Sequence, residues 1–147
     1  MVAVDMRAHL FFDSPKVISR INRFERRVLS KFGAFVRRTS RQSIKVRRKT
    51  KRRKRKISPA GSPPFALSRE GLRTIFFAYD GRRHSVVIGP VKRGNGGRVP
   101  RLLEMGGTGP VKTPTGVVNA NFAARPFMGP ALEENKRKLR GLIQGKL

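Results

Sequence analysis

Ser14-Pro-Lys-Val-Ile-Ser-Arg-Ile-Asn-Arg-Phe-Glu-Arg-Arg-Val-Leu-Ser-Lys-Phe-Gly-Ala-Phe-Val36 is the stretch whose reading decides the fold. Ser14 suits an N-cap, because its hydroxyl can accept from a free amide of the first turn. Pro15 suits the first helical position, where a missing N–H leaves nothing unsatisfied. Apolar residues then recur at Val17, Ile18, Ile21, Phe24, Val28, Phe32, Phe35 and Val36. Steps of three and four place them along one face of a helix. Arg20, Arg23, Arg26, Arg27, Arg37, Arg38 and Arg41 occupy much of the remainder. The pattern predicts a helix over 14–46, with Gly33 the weakest point of an unbroken rod. A helix this long exceeds what the small remainder of the chain can cover. At least half of its stripe should be ordinary core; the rest, with Ile21 and Phe24 on it, is expected to pack on a neighbouring subunit.

Immediately after the helix comes Arg47-Arg-Lys-Thr-Lys-Arg-Arg-Lys-Arg-Lys56. Arg47, Arg48, Lys49, Lys51, Arg52, Arg53, Lys54, Arg55 and Lys56 are cationic, and only Thr50 interrupts them. Self-repulsion favours an extended, solvated chain here unless an anion compensates. Two readings are open: an arm that meets nucleic-acid phosphates, or a solvated linker or localisation tract. The whole chain carries a formal charge of +27 over 147 residues. Residues 1–56 contribute a net +17 and residues 57–147 a net +10, so the excess is general and densest at the arm. Such a molecule should meet polyanions.

Ser58-Pro-Ala-Gly-Ser-Pro-Pro64 reads as a loop, because neither helix nor central strand tolerates that density of Pro and Gly. A helical turn at Gly71-Leu72-Arg73, a strand from Thr74 to Tyr79, an Asp80-Gly81 turn and a second strand from Ser85 to Ile88 read as a hairpin. Residues 91–101 read as a basic loop, Leu102 to Met105 as a short apolar element, and Gly116 to Asn121 as a further strand. Phe127, Met128, Ala131, Leu132, Leu139, Leu142 and Ile143 mark an amphipathic C-terminal helix, with Pro130 acceptable only in its first turn. Lys136, Arg137, Lys138 and Arg140 lie towards its C-terminal end, as the helix dipole favours. The expected fold is α+β in a single domain: an arm at 1–13, the long helix at 14–46, the basic arm and Pro-rich loop at 47–64, and a small antiparallel sheet plus helix at 65–147.

Sites for chemistry do not emerge. The chain has no cysteine, which removes thiolate chemistry and disulfides and suits a reducing compartment. His9 and His84 lack Cys or carboxylate partners at ligand spacing, so no metal or cofactor is expected. The eight carboxylates are scattered and give paired-carboxylate catalysis little material. Lys92 to Arg98 lacks the Gly-Lys-Ser/Thr ending of a phosphate loop, and in Gly106 to Thr113 the Lys-Thr pair follows Val111 rather than Gly. Both read as flexible loops. No apolar run approaches the roughly 18–20 residues of a membrane span.

From Ser62 onward the order of signals carries a resemblance. Pro63-Pro64 precedes Gly71-Leu72-Arg73. Val87-Ile88-Gly89-Pro90, Leu103-Glu104-Met105-Gly106-Gly107 and Ala124-Arg125-Pro126-Phe127-Met128-Gly129-Pro130-Ala131-Leu132 follow. This resembles the tail-completion, or head–tail joining (neck), family of long-tailed bacteriophages. The likeness covers residues 14–144 in element order, with its specific motifs between 62 and 132. Met105 stands where the family pattern has an aromatic, and the 47–56 arm is more basic than that pattern. The resemblance implies a non-enzymatic virion protein at the head–tail junction, assembled in the host bacterial cytoplasm. It implies a homo-oligomeric ring, commonly a hexamer, between head-completion or connector proteins and tail-terminator or tail-tube proteins. Viral DNA would pass through the channel. It further implies structural roles for Glu104, Arg125, Pro126 and Phe127, with Phe127 buried and Arg125 paired with Glu104. The alternative reading is a ribosomal or other RNA- or DNA-binding protein, which would share the composition. A nuclease is least favoured, for want of ligands.

Overall fold

Helix α1 (Ser14–Ser43) is the spine on which the other elements lie. The computed structural model describes residues 14–46, 57–66, 71–91 and 99–145. The expected N-terminal arm at 1–13, the basic arm at 47–56 and the loop at 92–98 lie outside the described residues. A 3-10 turn (Gly71–Arg73) leads into β1 (Ile75–Asp80) and β2 (Ser85–Pro90); then come α2 (Val99–Met105), β3 (Gly107–Thr113), β4 (Gly116–Phe122) and α3 (Met128–Ile143). The architecture is α+β. Instead of one small sheet there are two antiparallel hairpins, β1–β2 and β3–β4.

The 3.6-residue period of α1 is used on two sides. On one, α3 runs back along it antiparallel. Asn135 donates through Nδ2 to Thr39 Oγ1 at 2.9 Å, and one turn further on Lys138 Nζ sits 5.3 Å from the centre of the Phe35 ring. Val28, Phe32, Val36, Ala131 and Leu142 are buried in this seam. Asn135 is fully buried, yet its amide also donates to Ala131 O and its Oδ1 accepts from Lys138, so the buried polar group is satisfied. On the other side lies the β1–β2 hairpin, in register from Ile75↔Pro90 to Asp80↔Ser85. Arg37 ties helix to strand: its Nε donates to Ile75 O at 2.7 Å, and its guanidinium lies 5.6 Å from the Phe76 ring centre. A second buried cluster, Ile44, Ala66, Ile75 and Phe127, closes the C-terminal end of α1.

Three sequence expectations need correction. Of the basic loop expected at 91–101, residues 99–101 open α2 instead. The long helix ends at Ser43 rather than near 46, and Val46 instead forms a parallel bridge with Ala66. Gly107–Thr113, read as a flexible loop, is a strand paired with β4 from Gly107↔Phe122 to Thr113↔Gly116. Its Gly, Pro and Lys content lowers intrinsic strand propensity, and cross-strand pairing overrides that preference. Pro110 is tolerated because a strand of a two-stranded sheet always has a free edge.

Gly33 does not break α1. A Cβ built there would lie 2.9 Å from both Phe77 Cδ2 and Val86 Cγ2, so its absence lets the hairpin approach. Gly33→Ala therefore sets about 1 kcal/mol of helix propensity against about 1–3 kcal/mol of overpacking. Neither the Phe77 ring nor the Val86 methyl is a flexible end that can swing away, so a net destabilisation of about 1 kcal/mol is expected in denaturant unfolding. A stabilised variant would show that the hairpin is not seated on the helix at this point.

Candidate assembly and nucleic-acid interface

The length of α1 exceeds that of its covering. At 1.5 Å per residue, 30 residues span about 45 Å and the 16 of α3 about 24 Å. The apolar stripe is buried from Val28 onward, where α3 lies, and exposed before it. Ile21 is 56 % exposed and Phe24 45 %, beside exposed Val17 and Ile18. The predicted assembly residues Ile21 and Phe24 are thus surface residues among the described part of the chain. Val17, Ile18, Ile21 and Phe24 thus form an exposed apolar row among the described residues.

The nucleic-acid candidates Arg47, Arg48, Lys49, Lys51, Arg52, Arg53, Lys54, Arg55 and Lys56 lie outside the described residues, but both flanks of the arm are described. On one side Ala66 N donates to Lys45 O at 3.0 Å, beside the Val46↔Ala66 bridge. On the other, Ser58 is buried and its carbonyl accepts from Arg125 Nε at 3.0 Å, while Gly61 N donates to Ala124 O at 2.8 Å. The described residues on both flanks of 47–56 are therefore anchored.

Glu104, Arg125, Pro126 and Phe127 do meet, though not as expected. The predicted Arg125–Glu104 pair does not form. Glu104 instead caps α3: its Oε2 accepts from Phe127 N at 3.0 Å and Met128 N at 3.1 Å, and its Oε1 from Gly129 N at 2.7 Å. These are orphan donors of the first turn, and a carboxylate there also meets the positive end of the helix dipole. Phe127 cannot cap its own helix, and the carboxylate arrives from α2, more than twenty residues earlier in the chain. Arg125 turns the other way. Its Nε holds Ser58 O, its Nη1 donates to Ala123 O, and its backbone N–H donates to Leu103 O at 2.6 Å. Half-buried Pro126 lies between these two anchors, and Phe127 is 1 % exposed. The kink between α2 and β3 that delivers Glu104 needs Gly106, whose φ is +74° and whose added Cβ would meet Ala124 N and Phe122 O at 3.0 Å.

One contact escaped the sequence reading. His84, at φ +49°, places its Nδ1 2.7 Å from Glu25 Oε2 and so fastens the β1–β2 turn to α1. The two residues lie 59 positions apart and neither belongs to a motif. Asp80, read as a turn former, accepts from the backbone amides of Arg82 and Arg83 at 3.0 and 3.3 Å. Among the described residues, no group of three His, Cys, Asp or Glu is placed to hold a metal ion. No described helix is long and apolar enough to cross a membrane.

Removing the cap should cost more than softening it. Glu104→Ala is expected to lower stability by about 1–3 kcal/mol, since three amides lose a charged acceptor, and Glu104→Gln by less. Phe127→Ala should cost about 3–5 kcal/mol. Equilibrium denaturation of the three variants checks the order; a neutral Glu104→Ala would mean that solvent caps α3 equally well. Compared with protein-family models, with curated proteins and with solved structures, the chain has no match in any of the three.

Proposed function

We propose that this protein is a structural subunit of a ring at the head–tail junction of a long-tailed bacteriophage, joining the connector to the tail, with its 47–56 arm meeting DNA in the channel. The exposed apolar half of α1 carries the reading. A folded chain that leaves Val17, Ile18, Ile21 and Phe24 in solvent has a natural use for a second protein surface. A ring supplies one for every subunit, because head-to-tail contacts close when the rotation does.

The joint at Glu104 adds support. The two most informative stretches of the resemblance, Leu103–Gly107 and Ala124–Leu132, come together through one carboxylate and three amides. They behave as one structural unit, which suits a shared role in shape rather than chemistry. The arm's composition fits non-specific contact with a phosphate backbone: nine cations, no aromatic to stack on a base, and no Asn or Gln to read an edge. A hexamer, flanked by head-completion and tail-terminator or tail-tube proteins, is the form this reading takes in the virion.

Ile21→Asp combined with Phe24→Asp should leave the unfolding midpoint near wild type, because both side chains are exposed, and should abolish ring assembly in particle reconstitution. Electron microscopy of the particles and the mass of the purified species give the readout. Functional rings built from the double variant would sink the proposal. For the arm, serine at Lys51, Arg52, Arg53, Lys54 and Arg55 should flatten the logarithmic salt dependence of duplex binding. At about −0.9 per phosphate, half the arm engaged corresponds to a slope of roughly −4. An unchanged slope, with ring attachment lost, would assign the arm to an acidic neighbouring protein instead.

A further inference from the structure

We infer that the groove between the N-terminal half of α1 and the β1–β2 turn is a second nucleic-acid site, one that grips the sugar–phosphate backbone independently of the 47–56 arm. Pro15, Ile18, Ser19, Asn22, Arg23 and Arg26 line it from the helix, and Tyr79 and Gly81 from the hairpin. Arg82 and Arg83 follow Gly81 in the same turn. Four guanidinium groups thus belong to two elements that the fold places side by side.

Two described carboxylates nearby are already engaged. Glu25 holds His84 at 2.7 Å, and Asp80 holds the amides of Arg82 and Arg83. Among the described residues, no carboxylate pairs with Arg23, Arg26, Arg82 or Arg83. Arg23 donates only to Ser19 O, at 3.3 Å. These four side chains are exposed and free to reorient towards an anion. The His84–Glu25 contact holds the turn against the helix, so Arg82 and Arg83, which stand on the turn outside the groove's lining, are kept near it before any ligand arrives. Preorganisation of this kind lowers the ordering cost of binding.

Phosphodiester chemistry fits better than an acidic protein. Guanidinium groups match phosphate and carboxylate oxygens alike in a two-point geometry, so the distinction rests on the Ser19, Asn22 and Tyr79 side chains, neutral donors of the type that position a nucleic-acid backbone. The chain's formal +27 charge draws any polyanion towards the surface before contact. At 100° per residue, Arg23 and Arg26 point away from the side of α1 that carries Val17, Ile21 and Phe24. The two surfaces adjoin at Ile18, which lines the groove and is exposed beside Val17 and Ile21. The inference stands without the ring: it needs only the full chain and a duplex.

The test uses the full-length chain with its arm intact and a mixed-sequence DNA duplex titrated at several salt concentrations. The triple variant Arg26→Ser, Arg82→Ser, Arg83→Ser should bind more weakly and lower the magnitude of the logarithmic salt slope by about 3, at about 0.9 per lost phosphate contact. A control, Arg101→Ser, Arg137→Ser, Arg140→Ser, removes equal charge from exposed positions elsewhere and should change the slope by less than about 1. Equal loss in both variants would reduce the effect to net charge and overturn the site. An unchanged slope in the first variant overturns it as well, and would leave the groove to an acidic protein. Should the triple variant unfold, Arg26→Gln and Arg82→Gln singly should each lower the slope by about 1; no change in either overturns the site. Ring assembly is scored separately on the same proteins, so failure of the groove and failure of the ring reading are distinguishable.

Discussion

The governing constraint is one of length. An α-helix rises 1.5 Å per residue whatever its sequence, so α1 extends about 45 Å, and among the described residues the helix laid along its apolar stripe, α3, is about half as long. The packing follows from that mismatch. Where α3 and the β1–β2 hairpin both reach α1, Val28, Phe32 and Val36 are buried and Gly33 lets the sheet close in. Where α3 stops, the stripe continues exposed among the described residues. The same periodicity that builds the core therefore also leaves an exposed apolar row.

At the other end of α1 the chain solves a problem of polarity. α3 begins at an aromatic residue with no local cap, and its first amides are satisfied by Glu104 from α2. This single carboxylate joins the element leading into the β3–β4 hairpin to the helix that packs on the spine. Two-stranded hairpins are marginal by themselves, so such tethering is what keeps β3–β4 in place. Leu102, which lies against Gly109 of β3, and the Arg125 amide bond to Leu103 O reinforce the joint. Arg125, released from any pairing with Glu104, uses its guanidinium to hold Ser58, the point at which the chain returns from the basic arm. Cap and clamp lie on opposite sides of Pro126, so the shape of the core and the anchoring of the arm share one short segment.

Electrostatics then separates the functions of α1's surface. Of the few acidic residues, four described ones are committed to structure: Glu25 to His84, Asp80 to its turn, Glu104 to α3 and Glu133 to Lys136. The arginines around the groove keep their charge available, and the apolar stripe stands on a different side of the same helix. Exposed cations contribute little to stability, and their clustering repels. Their accumulation is better understood as a binding property than as a fold requirement.

Much of the fold was legible in the residues themselves, because it rests on local periodicity and backbone chemistry. Ser14-Pro15 and the three-four spacing marked α1; Asp80-Gly81 and the flanking β-branched and aromatic runs marked the first hairpin; Pro130 marked the first turn of α3. Charge density alone marked the arm, and the length of the stripe from Val17 to Val36 already implied that some of it would lack cover. Tertiary structure decided the rest. Which part of the stripe is bare depends on where α3 ends against α1. Whether Gly107–Thr113 is loop or strand depends on the partner strand, since its own residues disfavour pairing. That Glu104 caps α3 while Arg125 clamps Ser58, and that His84 reaches Glu25, depends on distances set by the folded chain between residues far apart in sequence. Periodicity specifies which face of an element is apolar; only packing specifies what that face meets.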